Sequence, residues 1–316
     1  MIKDLRIVFM GTPDFAVGTL KALIEKNYNI VGVITAPDKP AGRGRKLNSS
    51  AVKKYAVEQG LPVLQPTNLK APEFIEELKA LQGNLQIVVA FRMLPKAVWD
   101  LPEYGTFNLH ASLLPQYRGA APIHWAIING ETQTGVTTFF IDDKIDTGAI
   151  LLQEQTPIGP NDTLEILYTK LMNQGSTLVI KTVEAIKAGT ITPLPQTLNA
   201  TLKTAYKLNK DNCKIDWSQE ATSIYNKIRG LNPFPAAWTN LHNGDQKTTA
   251  KIFDCELELA AHNEATGKIT QTKTQLWIYV KNGIIKVNEI QLENKKRLTV
   301  KALLNGYQFH NNSIMV

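Results

Sequence analysis

Short apolar runs alternate with amphipathic stretches through the first two-thirds of the chain, and this alternation predicts buried strands joined by crossover helices. The runs fall at residues 6–10, 30–35, 85–90, 105–109 and 136–141. Between the first two, Phe15, Leu20, Leu23 and Ile24 lie near one face of a helix expected over 14–26, and 49–59 and 73–81 read as further helices. Residues 162–188 form one long helical stretch, with apolar side chains from Leu164 to Ile186 recurring at three- and four-residue steps. Asp162 with Glu165 reads as a capping box at its start. Periodicity is lost over 189–206, where Pro193, Pro195 and several threonines read as a linker. Beyond it, short alternating runs at 238–241, 249–253, 267–270, 276–280, 284–289 and 298–301 are separated by Asn, Gly and Lys. They predict a small barrel or sandwich.

The expected fold class is therefore α/β over 1–188, with a mostly parallel sheet, followed by the 189–206 linker and a smaller β domain over 207–316. A length of 316 residues suits two domains of ~150 residues each. The two cysteines, Cys213 and Cys255, form no Cys-x-x-Cys, and the five histidines show no ligand spacing beside them. A structural zinc and a disulfide framework are not expected. The apolar run 7–10 is too short for a signal peptide or a membrane span, which suggests a cytoplasmic protein with no membrane association.

Charge adds a partner's sign. Residues 1–206 carry 20 basic and 18 acidic groups, whereas 207–316 carry 15 and 10, so most of the +7 excess sits in the smaller part. Solubility alone accounts for a few surplus lysines; a polyanion held by the second domain is the sharper alternative.

Candidate chemistry lies at the strand ends. Gly11-Thr-Pro-Asp-Phe15 lacks the further glycines of a dinucleotide-binding turn and reads as a tight strand-to-helix connection. The segment Asn108-Leu-His110-Ala-Ser112-Leu113-Leu114-Pro115 starts on a strand and leaves it in a proline-punctuated loop. Asn108 and His110, two apart, face the same side. An amide donor beside an imidazole can stabilise an oxyanion and move a proton. A third element, Asp142-Asp143-Lys-Ile-Asp146-Thr-Gly148, again follows a strand. Any of its aspartates can be a turn former, but a carboxylate against His110 would fix the ring and favour its charged form.

On these residues the sequence resembles the folate-dependent formyltransferases. The landmarks are Phe9-Met-Gly-Thr-Pro-Asp-Phe15, Pro37-Asp-Lys-Pro-Ala-Gly-Arg43-Gly-Arg45-Lys46, the stretch from Asn108 to Pro122, Asp146-Thr-Gly148, Ile215-Asp-Trp217 and Arg229-Gly-Leu-Asn-Pro-Phe-Pro235. The resemblance implies a Rossmann-like formyltransferase domain followed by an OB-like barrel. It implies that Asn108, His110 and Asp146 are catalytic and that Ser112, Leu113, Leu114 and Pro115 contact tetrahydrofolate. It further implies 10-formyltetrahydrofolate as donor, the α-amine of methionine on initiator tRNA as acceptor, and no metal. Arg43, Arg45 and Lys46 would then reach the tRNA acceptor stem, with lysines of 207–316 on its backbone. Trp217 and the 232–235 segment are expected to be packing residues rather than base-stacking platforms, and the chain is expected to act as a monomer. Arg92 stands where many relatives carry a smaller, uncharged residue. A sugar-nucleotide formyltransferase and a non-catalytic RNA-binding protein are the rival readings.

Overall fold

The computed structural model describes residues 4–41, 46–197 and 202–316. The chain begins β1 (Arg6–Gly11), α1 (Asp14–Glu25), β2 (Asn29–Ile34), a β3–β4 pair (Lys39–Ala41, Lys46–Asn48), α2 (Ala51–Glu58), β5 (Val63–Leu64) and α3 (Pro72–Ala80). Next come β6 (Leu85–Val89), α4 (Lys96–Trp99), β7 (Thr106–His110), β8 (Arg118–Gly119) and α5 (Pro122–Ile128). Then follow β9 (Gln133–Phe140), β10 (Ile150–Pro157), α6 (Leu164–Ala188) and β11 (Thr204–Ala205). The remainder holds α7 (Ala221–Leu231), β12 (Ala237–Asn243), β13 (Gln246–Glu258), β14 (Ile269–Gln271) and β15 (Leu276–Val280). It closes with β16 (Gly283–Leu292), β17 (Leu298–Thr299), α8 (Val300–Leu304) and β18 (Ile314–Met315).

Two compact units result. The first gathers Met1–Gly119, Thr134–Pro157 and Tyr168–Thr204; the second gathers Ala120–Gln133, Ile158–Leu167 and Ala205–Val316. The first carries a sheet in the order β10-β9-β7-β6-β1-β2-β5. Its pairs β1–β2, β1–β6, β2–β5 and β6–β7 are parallel, and β9 runs antiparallel to β7. The near-continuous burial of β1 and β6 is what a parallel sheet covered on both faces requires. Val8, Met10 and Val88 pack with Phe74 and Leu78 of α3. Because β1 has β2 on one side and β6 on the other, the strand order reverses there, and open α/β sheets assemble sites at the strand carboxyl ends around such a point.

In the second unit, antiparallel strands run β14-β15-β16-β13-β12-β18, with β17 on β16. The sheet nearly closes: Lys268 bridges Ile314, Ile269 N–H donates to Ser313 O at 3.1 Å and Met315 N–H to Gly267 O at 2.9 Å. Trp217 is buried in this core, its Nε1–H donating to Thr239 Oγ1 at 2.8 Å. The α7 face carrying Ile224, Ile228 and Leu231 joins the same core. Its neighbour is α5. A Cβ on Gly230 would stand 2.9 Å from Ile128 Cγ1, so the glycine lets the two helices approach. The adjoining Arg229 is buried with its Nε–H on Asn226 Oδ1 at 2.9 Å and Nη1 on Asp162 O at 2.7 Å.

Three expectations need correction. The 298–301 run is a strand of two residues that passes into α8, because Thr299 Oγ1 accepts Ala302 N–H and caps a helix there. The long helix starts at Leu164, two residues later than expected, with the Thr163 hydroxyl accepting Ile166 N–H at 3.5 Å, and Asp162 Oδ2 accepts Gly159 N–H at 2.8 Å. Phe234 is not packed but 78% exposed.

Candidate active site

Asn108 and His110 lie on β7, the latter as its last residue, so alternation places both on one face at the strand's carboxyl end. Asn108 is half-buried and aligns with Val88 on one side and Phe139 on the other. His110 is buried, and its Nε2 sits 2.8 Å from Tyr117 O. A carbonyl oxygen can only accept, so Nε2 carries a hydrogen and Nδ1 is the nitrogen left for proton traffic. Nδ1 is 3.8 Å from Asp146 Oδ2, an ion-pair distance rather than a hydrogen bond.

The three aspartates after β9 now part company. Asp142 builds the turn, its Oδ1 accepting Lys144 N–H at 3.0 Å and the Thr147 hydroxyl at 2.6 Å. Asp143 is exposed. Asp146 is the one that faces His110, and its Oδ2 also accepts Gly119 N–H at 2.8 Å. Asp146 holds a φ of +54°, a left-handed conformation that few non-glycine residues adopt.

The loop after β7 is ordered by its own Ser112 and by polar side chains of β9 and β10. Ser112 is fully buried and its hydroxyl donates to Gln116 O at 2.7 Å. Thr137 Oγ1 donates to Ser112 O at 2.6 Å and accepts Leu114 N–H at 3.2 Å, while Gln153 Nε2 donates to Leu114 O at 2.8 Å. Leu114 is buried, so among the four residues expected to touch folate the side chains of Leu113 and Pro115 are the accessible ones. Arg43 and Arg45 lie outside the described residues, and Lys46 begins β4, which pairs antiparallel with β3. Arg92 is tied down, its Nη1 donating to Thr67 O at 3.1 Å and Nη2 to Pro66 O at 2.7 Å, and burial lowers its pKa.

Some groups around the site carried no recognisable signal. Gln196, inside the segment read as a linker, donates from Nε2 to Asp146 O at 3.0 Å and Gly148 O at 2.8 Å. The same segment is fixed to the first unit by Leu194, which exchanges two 2.8 Å backbone hydrogen bonds with Ile150. It is further fixed by Lys203, whose carbonyl accepts Tyr117 N–H at 2.7 Å. Arg118, within the Asn108–Pro122 stretch, donates from Nη2 to Gln196 Oε1 at 2.6 Å.

A sizeable cavity lies elsewhere. It measures 740 Å³, lies within the second unit against Glu131, Asn161, Tyr225, Arg229 and Glu256, and none of the predicted site residues lines it. A cleft of 390 Å³ is bordered by Arg118, Asp142, Asp143, Lys144, Thr147 and Gln196. Polar convergence rather than volume marks the site. Among the described residues no group of three or more His, Cys, Asp or Glu could hold a metal ion, and no helix is long and apolar enough to cross a membrane.

Residues 5–183 match the Formyl transferase family and residues 207–308 match its C-terminal domain. The chain belongs to the formyl transferase family. It is 57% identical to the methionyl-tRNA formyltransferase of Flavobacterium johnsoniae over 98% of each chain, and 53% identical to that of Parabacteroides distasonis over 97% of each. Among solved structures it is similar to the N-formyltransferase of Helicobacter canadensis in complex with folinic acid and dTDP-3-aminofucose. That likeness has a TM-score of 0.64 at 23% identity and covers 92% of this chain and all of the other. HypX from Aquifex aeolicus with tetrahydrofolic acid gives a TM-score of 0.65 at 16% identity, over 96% of this chain and 47% of that one. At such identities the likeness concerns the fold. In this formyl transferase, Asn108, His110 and Asp146 all fall inside the N-terminal family match, and the basic excess falls mostly inside the C-terminal one.

Proposed function

We propose that this formyl transferase moves the formyl group of 10-formyltetrahydrofolate to the α-amine of methionine esterified to initiator tRNA, giving N-formylmethionyl-tRNA for translation initiation. The observation that carries the reading is the end-to-end 57% identity to a protein of that name. The convergence of Asn108, His110 and Asp146 at a strand end supports the chemistry.

The amine attacks the formyl carbon, a C–N bond forms, and the carbonyl oxygen becomes an oxyanion. Asn108 Nδ2–H and the imidazole of His110 stabilise that oxygen as charge develops on it. Asp146 orients the ring from the Nδ1 side, and Nδ1 is the nitrogen available for relay. As the tetrahedral species collapses, the bond to the folate nitrogen breaks; the amine has given up one proton and the departing nitrogen takes one. Leu113 and Pro115 offer the pterin an apolar edge. Arg43, Arg45 and Lys46 serve the acceptor stem, and the second domain's lysines serve the tRNA backbone. Several of those lysines are already engaged, Lys281 with Glu220 at 2.6 Å for example, so the contribution falls on the others.

An assay offering formyltetrahydrofolate with methionyl-tRNA, with uncharged tRNA plus free methionine, or with an amino-sugar nucleotide tests this. Formyl transfer to methionyl-tRNA alone is expected; transfer to the sugar would overturn the acceptor assignment. Asn108→Ala and His110→Ala should each lower kcat by ~10²–10³-fold. Near-normal turnover by either variant removes that residue from the mechanism.

A further inference from the structure

An unbroken ring of hydrogen bonds surrounds Asp146, and its keystone is a residue from the segment after α6. Gln196 Nε2 donates to the carbonyls of Asp146 at 3.0 Å and Gly148 at 2.8 Å. Gln196 Oε1 accepts from Arg118 Nε at 3.1 Å and Nη2 at 2.6 Å. The residue after Arg118, Gly119, donates its N–H to Asp146 Oδ2 at 2.8 Å, which closes the ring from backbone to carboxylate.

We propose that Gln196 is a positioning residue for formyl transfer, acting through Asp146 by locking both the turn that carries the carboxylate and the loop that holds its Oδ2. The proposal rests on the reading of Asp146 as the partner of His110. Three physical points support it. A left-handed φ of +54° at Asp146 persists only where the surroundings over-determine it, and Gln196 supplies two of the restraints. The amide is the one side chain of this length that offers donors to two carbonyls and an acceptor to a guanidinium at once. Gln196 is itself held, since Leu194, two residues earlier, exchanges a reciprocal pair of 2.8 Å hydrogen bonds with Ile150 at the start of β10.

The 3.8 Å spacing between Asp146 Oδ2 and His110 Nδ1 is the quantity this ring controls. With Glu at 196 the side chain keeps its size and its pairing with Arg118, but it turns an acceptor toward the two carbonyls, so the turn is pushed away. With Ala the turn loses both donors. In either variant the carboxylate is free to move by ~1 Å, a displacement that costs up to ~10²-fold in rate.

The experiment compares Gln196→Glu, Gln196→Ala and Asp146→Asn in the full-length enzyme by steady-state kinetics, with melting temperature measured alongside. Both Gln196 variants are expected to lose ~10–10²-fold in kcat while KM for formyltetrahydrofolate and for methionyl-tRNA stays within about twofold. A purely structural role would lower the melting temperature and leave kcat per folded enzyme unchanged, and that result overturns the proposal. So does wild-type kcat in Gln196→Ala when Asp146→Asn is impaired. If Asp146→Asn itself keeps wild-type kcat, the catalytic reading of Asp146 fails instead, a pattern distinct from either.

Discussion

Gly148 offers a stringent check on the idea that the Asp146 turn must be held rigidly. A Cβ at this position would stand 1.7 Å from Phe140 O and 2.8 Å from its carbonyl carbon, where ordinary contact begins at 3.4 Å. The obstacle is backbone in the last residue of β9, so no rotamer change relieves it. The turn has to lift by ~1–2 Å, which strains or breaks the 2.9 Å hydrogen bond from Phe140 N–H to Ala149 O. Overpacking costs ~1–3 kcal/mol and the lost hydrogen bond ~1 kcal/mol more, so Gly148→Ala should lower stability by ~2–4 kcal/mol. Asp146, two residues earlier, moves with the turn, and misplacement by ~1 Å predicts a fall in kcat of ~10²-fold. The check is kcat at saturating donor and acceptor together with calorimetric melting. Gly306→Ala is the control, since a Cβ there meets nothing within 4 Å, and it should behave as wild type. Gly148→Ala with unchanged kcat and melting temperature would show that the turn accommodates freely, and the argument from rigidity would fall.

Other expectations follow from groups outside the turn. Arg229→Leu removes the donors on Asn226 Oδ1 and Asp162 O, and should cost ~2–3 kcal/mol of unfolding free energy, read by urea titration. Cys213 and Cys255 are buried, and burial raises both thiol pKa values, with Asp254 and Glu256 adding to the effect at Cys255. Neither should react with a thiol reagent at pH 8 until denaturant is added. Burial lowers the pKa of His124 below its ordinary 6.5. The unfolded chain therefore takes up that proton first, and stability should decline as pH falls through 6.5 and below; His124→Gln should flatten the decline in denaturation midpoints between pH 7 and 5.

Much of the first unit was readable because its strands are buried on both faces. Runs such as 6–10 and 85–90 announce themselves without any partner, and β1 and β6 match them within a residue or so. The pairing of Asn108 with His110 was readable for the same reason, since a strand's alternation dictates sides. The choice among Asp142, Asp143 and Asp146 was not readable from turn propensity, because all three suit a turn; it depends on which carboxylate the loop aims back at β7. Gln196 was invisible because its role depends on a hydrogen-bonded return of an aperiodic segment. Phe234 was misjudged since an aromatic ring between two prolines looks like packing material until its surroundings are known.

The membership of the two units has a consequence for synthesis on the ribosome. The helix α5 is translated well before α7, yet Ile127 and Ile128 of α5 are the side chains that close on Gly230. About a hundred residues must be added between one helix and the other, which at ~5–20 residues per second takes on the order of 5–20 s. For that interval the nascent chain carries an apolar helix surface whose cover has not yet been made. A chaperone acting on this protein would have its longest opportunity there, and pausing codons between 130 and 221 would prolong it.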